Sequence, residues 1–164
     1  MEEGRIDLPK LEGHNCFACG TENRKGLNLF FYRQGESICT DITLGKDHEG
    51  WENLAHGGIL STLLDETMSW TIIFFKRVFF VTRKMEIKYI RPVLVDEPIT
   101  VKGMIQDDTR EPRIMVRAEI CDREGHVMTT AAGEFVVLPE KRLHMVPETL
   151  KNEMKQLFAR LPEA

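Results

Sequence analysis

The chain has no long hydrophobic run. Its longest apolar stretch, Thr71–Phe75, stops at Lys76-Arg77, far short of the ~20 residues that span a bilayer. It has no excess of basic charge either: 22 Lys and Arg stand against 26 Asp and Glu, a net charge of −4. The field expected of a general nucleic-acid binder is therefore missing. Neither nucleic acid nor a membrane is expected as a partner. A local cluster of Lys and Arg can still hold an anionic small ligand against the global sign. Four cysteines in 164 residues do not read as a disulfide framework, so thiols are expected. There is no low-complexity tract, internal repeat or linker, and 42% of residues are hydrophobic. Disorder is excluded on that ground, and one domain over 1–164 is expected. The opening MEEGRIDLPK lacks the apolar core of a secretory signal, which makes the cytoplasm the expected location.

Residues 1–25 read as an irregular lead-in. Leu27–Tyr32 and Ser37–Thr43, joined by a turn at Gln34-Gly35-Glu36, predict a hairpin. A polar loop, Gly45–Asn53, follows. The stretch from about His56 to Lys76 contains no Pro and is rich in Leu, Ile, Met and Phe, which predicts a long helix. At 100° per residue, Ile59, Leu60, Leu63, Thr67, Trp70 and Phe74 share one side. Gly58, Ser61, Thr62, Asp65, Met68 and Ser69 share the other. Strands are then predicted at Val78–Ile90, Ile99–Gln106, Arg113–Cys121 and His126–Leu138, with a terminal helix at about 147–161. The fold class is α+β, an antiparallel sheet with one central helix against it. One sheet does not cover so apolar a helix on all sides, which predicts a homodimer, or a tetramer made by doubling it.

The chemistry concentrates in Asn53-Leu54-Ala55-His56-Gly57-Gly58, followed by Asp65-Glu66. Two glycines open the helix where the first N–H groups lack intrahelical partners. A carbonyl or anion can approach those amides closely, and the helix dipole favours a developing oxyanion there. Gly57-Gly58 can equally serve only a tight turn. Asp65 lies mid-helix beside Leu64 and Met68, an unfavourable place for a carboxylate unless something pairs with it or uses it. It suits a general base on water or a nucleophile toward a thioester. Ser61 and Ser69 beside it are small enough to leave room for substrate. Glu66, ~100° further round the helix, reads as a structural partner.

His56-Gly57-Gly58 with Asp65-Glu66 resembles the motif of the hotdog-fold acyl-CoA thioesterases of the phenylacetate-degradation type. Cys16-Phe17-Ala18-Cys19-Gly20, Asn23 and Gly26-Leu27 resemble the opening of one branch of these proteins. Tyr89-Ile90-Arg91-Pro92-Val93 resembles the end of their strand after the central helix. The resemblance runs from about Cys16 to Leu138. It implies a hotdog fold, hydrolysis of an acyl-CoA to acid and CoA, and an oxyanion-hole amide at Gly57 in a turn shaped by His56. It makes Asp65 the nucleophile or general base, with Thr82 helping to position the attacking water. Substrate contacts are expected from Gly58, Asn53, Ser61, Ser69, Arg83 and Arg91.

Two positions depart from the pattern. Many relatives carry an Asn six residues before the motif His, where this chain has Gly50; Asn53 is the nearby substitute. Ser69 stands where close relatives often have Gly. No cofactor is expected. Cys16 and Cys19 supply only two metal ligands, with His14 as a conceivable third and Cys39 and Cys121 isolated, so no metal is expected and the pair is assigned to loop packing. Arg83, Lys84, Lys88, Arg91, Arg110, Arg113 and Arg117 are candidates for the CoA phosphates or for a solvated sheet face. The alternative to catalysis is a hotdog module that binds an acyl-CoA or a related effector without turning it over.

Overall fold

The computed structural model describes residues 4–163. In chain order the elements are β1 (Arg5–Asp7), β2 (Tyr32–Gln34), β3 (Ser37–Thr43), β4 (Glu49–Trp51), β5 (Leu54–Ala55), α1 (Gly57–Lys76), β6 (Phe80–Tyr89), β7 (Pro98–Asp107), β8 (Arg113–Cys121), β9 (Val127–Val137) and α2 (Glu148–Arg160). Seven strands form one antiparallel sheet in the order β1-β2-β3-β7-β8-β9-β6, and β4 and β5 pair separately. The sheet wraps around α1 in a hotdog fold. No helix among the described residues is long and apolar enough to cross a membrane.

Alternation sets which side chains meet α1. Ile99 and Val101 of β7, Ile114, Val116, Ala118 and Ile120 of β8, and Ala131 and Phe135 of β9 are all buried. Glycines let the helix come close. A Cβ at Gly103 would overlap Thr71 Oγ1, and one at Gly133 would lie 2.6 Å from the Phe135 ring and 3.0 Å from Met68 Sδ.

Three expectations need correction. The lead-in is not wholly irregular, because Arg5–Asp7 adds a strand to the sheet by pairing with Tyr32–Gln34. Residues 27–31 are not strand: Leu27 and Leu29 donate instead to the carbonyls of Phe17 and Ala18. The lead-in thus docks on the far side of α1, where Phe31 stacks on Trp70 with ring centroids 4.9 Å apart. That docking covers much of the apolar surface that argues for a second copy, leaving Ile59, Ile73 and Phe75 partly buried. Leu64, Met68 and Ile72 are fully buried alongside Leu60, Leu63, Trp70 and Phe74, all within one chain. Met68 therefore does not belong with the polar side of the helix. Ser61, Thr62, Asp65 and Ser69 form a polar strip along α1 that is only partly buried, as are Ile59, Ile73 and Phe75.

Candidate active site

Helix α1 begins where His56 leaves extended geometry (φ −65°, ψ 132°) and its Nδ1 accepts the Gly58 N–H at 2.9 Å. His56 is thus a side-chain cap for one of the orphan donors of the first turn. Its carbonyl oxygen accepts from Ile59 N and Leu60 N, at 2.9 and 3.1 Å. In a planar trans peptide the next N–H points the opposite way, so the Gly57 N–H is aimed out of the helix N-terminus. No acceptor among the described residues takes it. Gly57 is the free donor of the pair, and Gly58, expected to face substrate, is committed to the cap.

The Gly57 carbonyl is held as firmly. It accepts from Ser61 Oγ at 2.8 Å and Tyr89 Oη at 3.0 Å, with those two oxygens 2.9 Å apart. Tyr89 was not singled out from sequence for this role, because nothing in a strand's spacing shows which helix residue it will meet. Beside it runs a groove of about 380 Å³ lined by Leu54, Gly57, Leu60, Tyr89, Ile90 and Arg91.

Asp65 lies two turns further along α1. Its Oδ1 accepts from Thr82 Oγ1 at 3.0 Å. Partial burial raises the Asp65 carboxyl above its ordinary range, and the Thr82 hydroxyl works against that shift. Thr82 and Tyr89 are seven apart on one strand, so plain alternation would place them on opposite faces. The register of β6 against β9 slips between Thr82 and Lys84. This bulge at Arg83 restores both side chains to the helix side.

The remaining expected residues scatter. Asn53 sits at φ 63° in the β4–β5 turn, where its Oδ1 accepts from Lys46 Nζ at 2.8 Å and its N–H donates to Glu49. It is therefore turned away from the role of substituting for the missing Asn. A Cβ at Gly50 would fall 3.1 Å from His56 Cα, so a side chain there presses on the cap. Arg83 and Arg113 share Glu134, at 2.7 and 3.4 Å. Lys84 faces Glu86, and Arg110 faces Asp107. Arg91 lines the groove and has no ion-pair partner among the described residues. Ser69 lies on the polar strip, and its hydroxyl has no side-chain partner among the described residues.

Glu66 faces the docked lead-in. It accepts from Trp70 Nε1 at 3.2 Å, and the Cys19 thiol is within hydrogen-bonding reach. Burial pushes its carboxyl up to about 7 against those two donors. Cys16 is held below the usual thiol range by the Cys19 thiol and by surrounding backbone N–H groups, while Cys19 is pushed up as that donor and by burial. His14, the conceivable third ligand, instead places Nε2 3.0 Å from Glu153 on α2.

Comparison with known proteins finds similarity to thioesterases. Residues 52–129 match the model of the thioesterase superfamily, just under half of the chain. A solved thioesterase superfamily protein superposes with a TM-score of 0.70 at 23% identity, covering 74% of this chain and 60% of that one. A hypothetical thioesterase from Streptococcus pneumoniae TIGR4, solved with coenzyme A, gives 0.58 at 21% identity over 63% of this chain and 79% of its own. Among curated proteins, verlamelin biosynthesis protein B of Lecanicillium sp is 24% identical over 135 residues, 65% of this chain. The chain spans about half the length of that relative (54%).

Proposed function

From residues 52–129, which belong to the thioesterase superfamily, and from the hotdog fold around them, we propose that the protein hydrolyses an acyl-CoA thioester to the free acid and CoA. The observation that carries this reading is the pairing of a free, fixed Gly57 N–H with an Asp65 carboxylate held by Thr82 on the partly buried polar strip of α1. The S. pneumoniae neighbour was solved with coenzyme A, and Arg91 in the groove beside Gly57 suits an anionic ligand.

The two groups cannot serve one carbonyl within a single chain. Eight residues at 1.5 Å each separate them by about 12 Å along α1, whereas the attacking atom must come within about 3 Å of the carbonyl carbon. We therefore assign each site to two chains, with Gly57 from one and Asp65 from the partner copy. The long strand β6 supports this assembly: among the described residues it pairs only with β9, and it exposes Val81 and Tyr89 beside a free edge. At such a site the thioester carbonyl accepts the Gly57 N–H. Asp65 takes a proton from water as the water oxygen bonds to the carbonyl carbon, and negative charge collects on the carbonyl oxygen. The C–S bond then breaks, and the CoA sulfur leaves with a proton. If Asp65 instead attacks the carbonyl directly, the CoA sulfur leaves and a mixed anhydride with the enzyme forms; water attacking that anhydride at the Asp65 carbon in a single turnover in ¹⁸O-water labels the enzyme carboxylate.

The test is thiol release from a panel of acyl-CoAs, followed by mixing. Asp65→Asn is expected to abolish turnover and keep CoA binding; Gly57→Pro removes the donor at a helix position that tolerates Pro. Co-refolding the two variants is expected to restore up to roughly a quarter of wild-type activity, because half the two-fold dimers are mixed and each holds one intact site. Heterodimers that form and stay inactive would refute the shared site. Gly50, which leaves the carboxylate without the Asn of many relatives, favours a second reading as a binding module. CoA binding with no turnover on any acyl group would establish it.

A further inference from the structure

We propose that Cys16, Cys19 and Glu66 form a binding site for a thiophilic divalent cation of the zinc class, which ties the lead-in to helix α1. The two Sγ atoms and a Glu66 carboxylate oxygen all lie within 4.8 Å of one another. Donors on one tetrahedral zinc, with Zn–S bonds of about 2.3 Å, stand roughly 3.8 Å apart, so modest side-chain rotations bring the three into range. The sequence supplies only a Cys-x-x-Cys, and the fold adds the third ligand from 47 positions further along the chain.

The loop around the thiols is built, not incidental. Gly20 N donates to Cys16 O at 2.9 Å and Glu22 N to His14 O at 3.0 Å, closing a tight knuckle. A Cβ at Gly20 would lie 2.5 Å from Cys16 N and O and from His14 O, so glycine is required for that closure. The knuckle is then fixed against the fold through Phe17 O and Ala18 O, which accept from Leu27 N and Leu29 N at 2.8 and 2.9 Å.

Charge and chemistry select the ion. Two thiolates and a carboxylate together carry three negative charges, and a divalent cation offsets two of them. Soft sulfur ligands favour zinc over magnesium or calcium. Cys16 is exposed, so the fourth position faces solvent and falls to water. The alternative use of the same thiols is a Cys16–Cys19 disulfide, and the experiment separates the two. The proposal is independent of the hydrolytic reading.

The probe is Co²⁺ alone, added to reduced, metal-stripped, full-length protein, then displaced by Zn²⁺. The expected result is one Co²⁺ per chain with a thiolate-to-cobalt charge-transfer band, abolished by Zn²⁺, by Cys16→Ser and by Cys19→Ser. Glu66→Gln is expected to weaken Zn²⁺ at least as much as losing a supporting partner does, roughly 10–100-fold. A second measurement needs no variant: Zn²⁺ is expected to slow alkylation of Cys16 and Cys19, mapped by mass spectrometry, against the buried Cys39 and Cys121. No band, or a band that survives both Cys→Ser changes, overturns the proposal. So do alkylation rates indifferent to Zn²⁺, or a pair that closes to a disulfide in air at the same rate with and without Zn²⁺.

Discussion

Replacing Gly103 by alanine tests how closely α1 is seated on the sheet. The strand position demands no left-handed backbone, since Gly103 is not among the residues with positive φ; the whole cost comes from the new methyl. That methyl would overlap Thr71 Oγ1, and would lie 3.1 Å from the Thr67 carbonyl and 3.2 Å from Thr67 Cγ2. Thr67 and Thr71 are fully buried, and each bonds back along the helix, Thr71 Oγ1 to Thr67 O at 2.8 Å. Neither can swing away freely. Overpacking of this kind costs about 1–3 kcal/mol, and lower unfolded-state entropy returns about 0.4–1 kcal/mol. The net expected loss is about 0–2.6 kcal/mol. Thr71→Ala removes the overlapping atom and by itself opens a small void, with a loss of about 1 kcal/mol. In the double variant the new methyl fills that void, so the losses fall short of their sum by about 1 kcal/mol or more. Urea unfolding at fixed protein concentration measures all four chains, with an unchanged m-value marking an unchanged transition. Losses that add within about 0.5 kcal/mol would show that the helix is not held against this strand as described.

Other expectations concern the site and its supports. Thr82→Val, which removes the donor to Asp65 Oδ1, is expected to lower kcat/KM by about 5–30-fold, the equivalent of roughly 1–2 kcal/mol, while Thr82→Ser retains most activity. Gly58→Ala places a Cβ 3.0 Å from His56 Nδ1 and disturbs the cap; thermal unfolding is expected to show a loss of about 1 kcal/mol, similar to His56→Ala. The hydroxyls of Thr40 and Thr129 are buried without a partner. Thr129→Val is therefore expected to leave stability unchanged or raise it by about 1 kcal/mol in the same urea assay; a loss of that size would mean the hydroxyl is satisfied in solution.

Local signals carried much of this fold in plain view. The Pro-free apolar run bounded α1 to within a residue, and the alternation of Ser37–Thr43 and Arg113–Cys121 marked β3 and β8 at their observed ends. The helix-opening glycines and the mid-helix carboxylate were legible because each is unusual for its surroundings. What stayed hidden depends on partners distant in sequence. Residues 27–31 read as strand because their side chains alternate, yet their backbone hydrogen bonds go to the Cys16–Gly20 knuckle. The wheel put Met68 with the polar residues because a wheel cannot know that Gly133 leaves a hollow for it. Asn53 looked available as a polar support for Asp65, and only the turn geometry shows it spent on Lys46. Glu66 gave no sign of the two thiols, which lie 50 and 47 residues before it.

The bulge at Arg83 makes β6 sensitive to length rather than composition. It acts as a half-period shift in a two-residue rhythm, and while it persists the segment between Thr82 and Tyr89 must keep its count for both hydroxyls to address the same helix. Deleting Arg83 itself leaves an even spacing, which plain alternation keeps on the helix side without a bulge; deleting a residue elsewhere in the segment with the bulge in place exchanges the faces at one end, so that either Thr82 leaves Asp65 or Tyr89 leaves Gly57. Single substitutions at Lys84, Glu86 or Lys88, whose side chains are exposed, do not touch that phase. Variation along this strand can thus be wide in identity, whereas a change of count is expected to spare the site only where it removes the bulge as well.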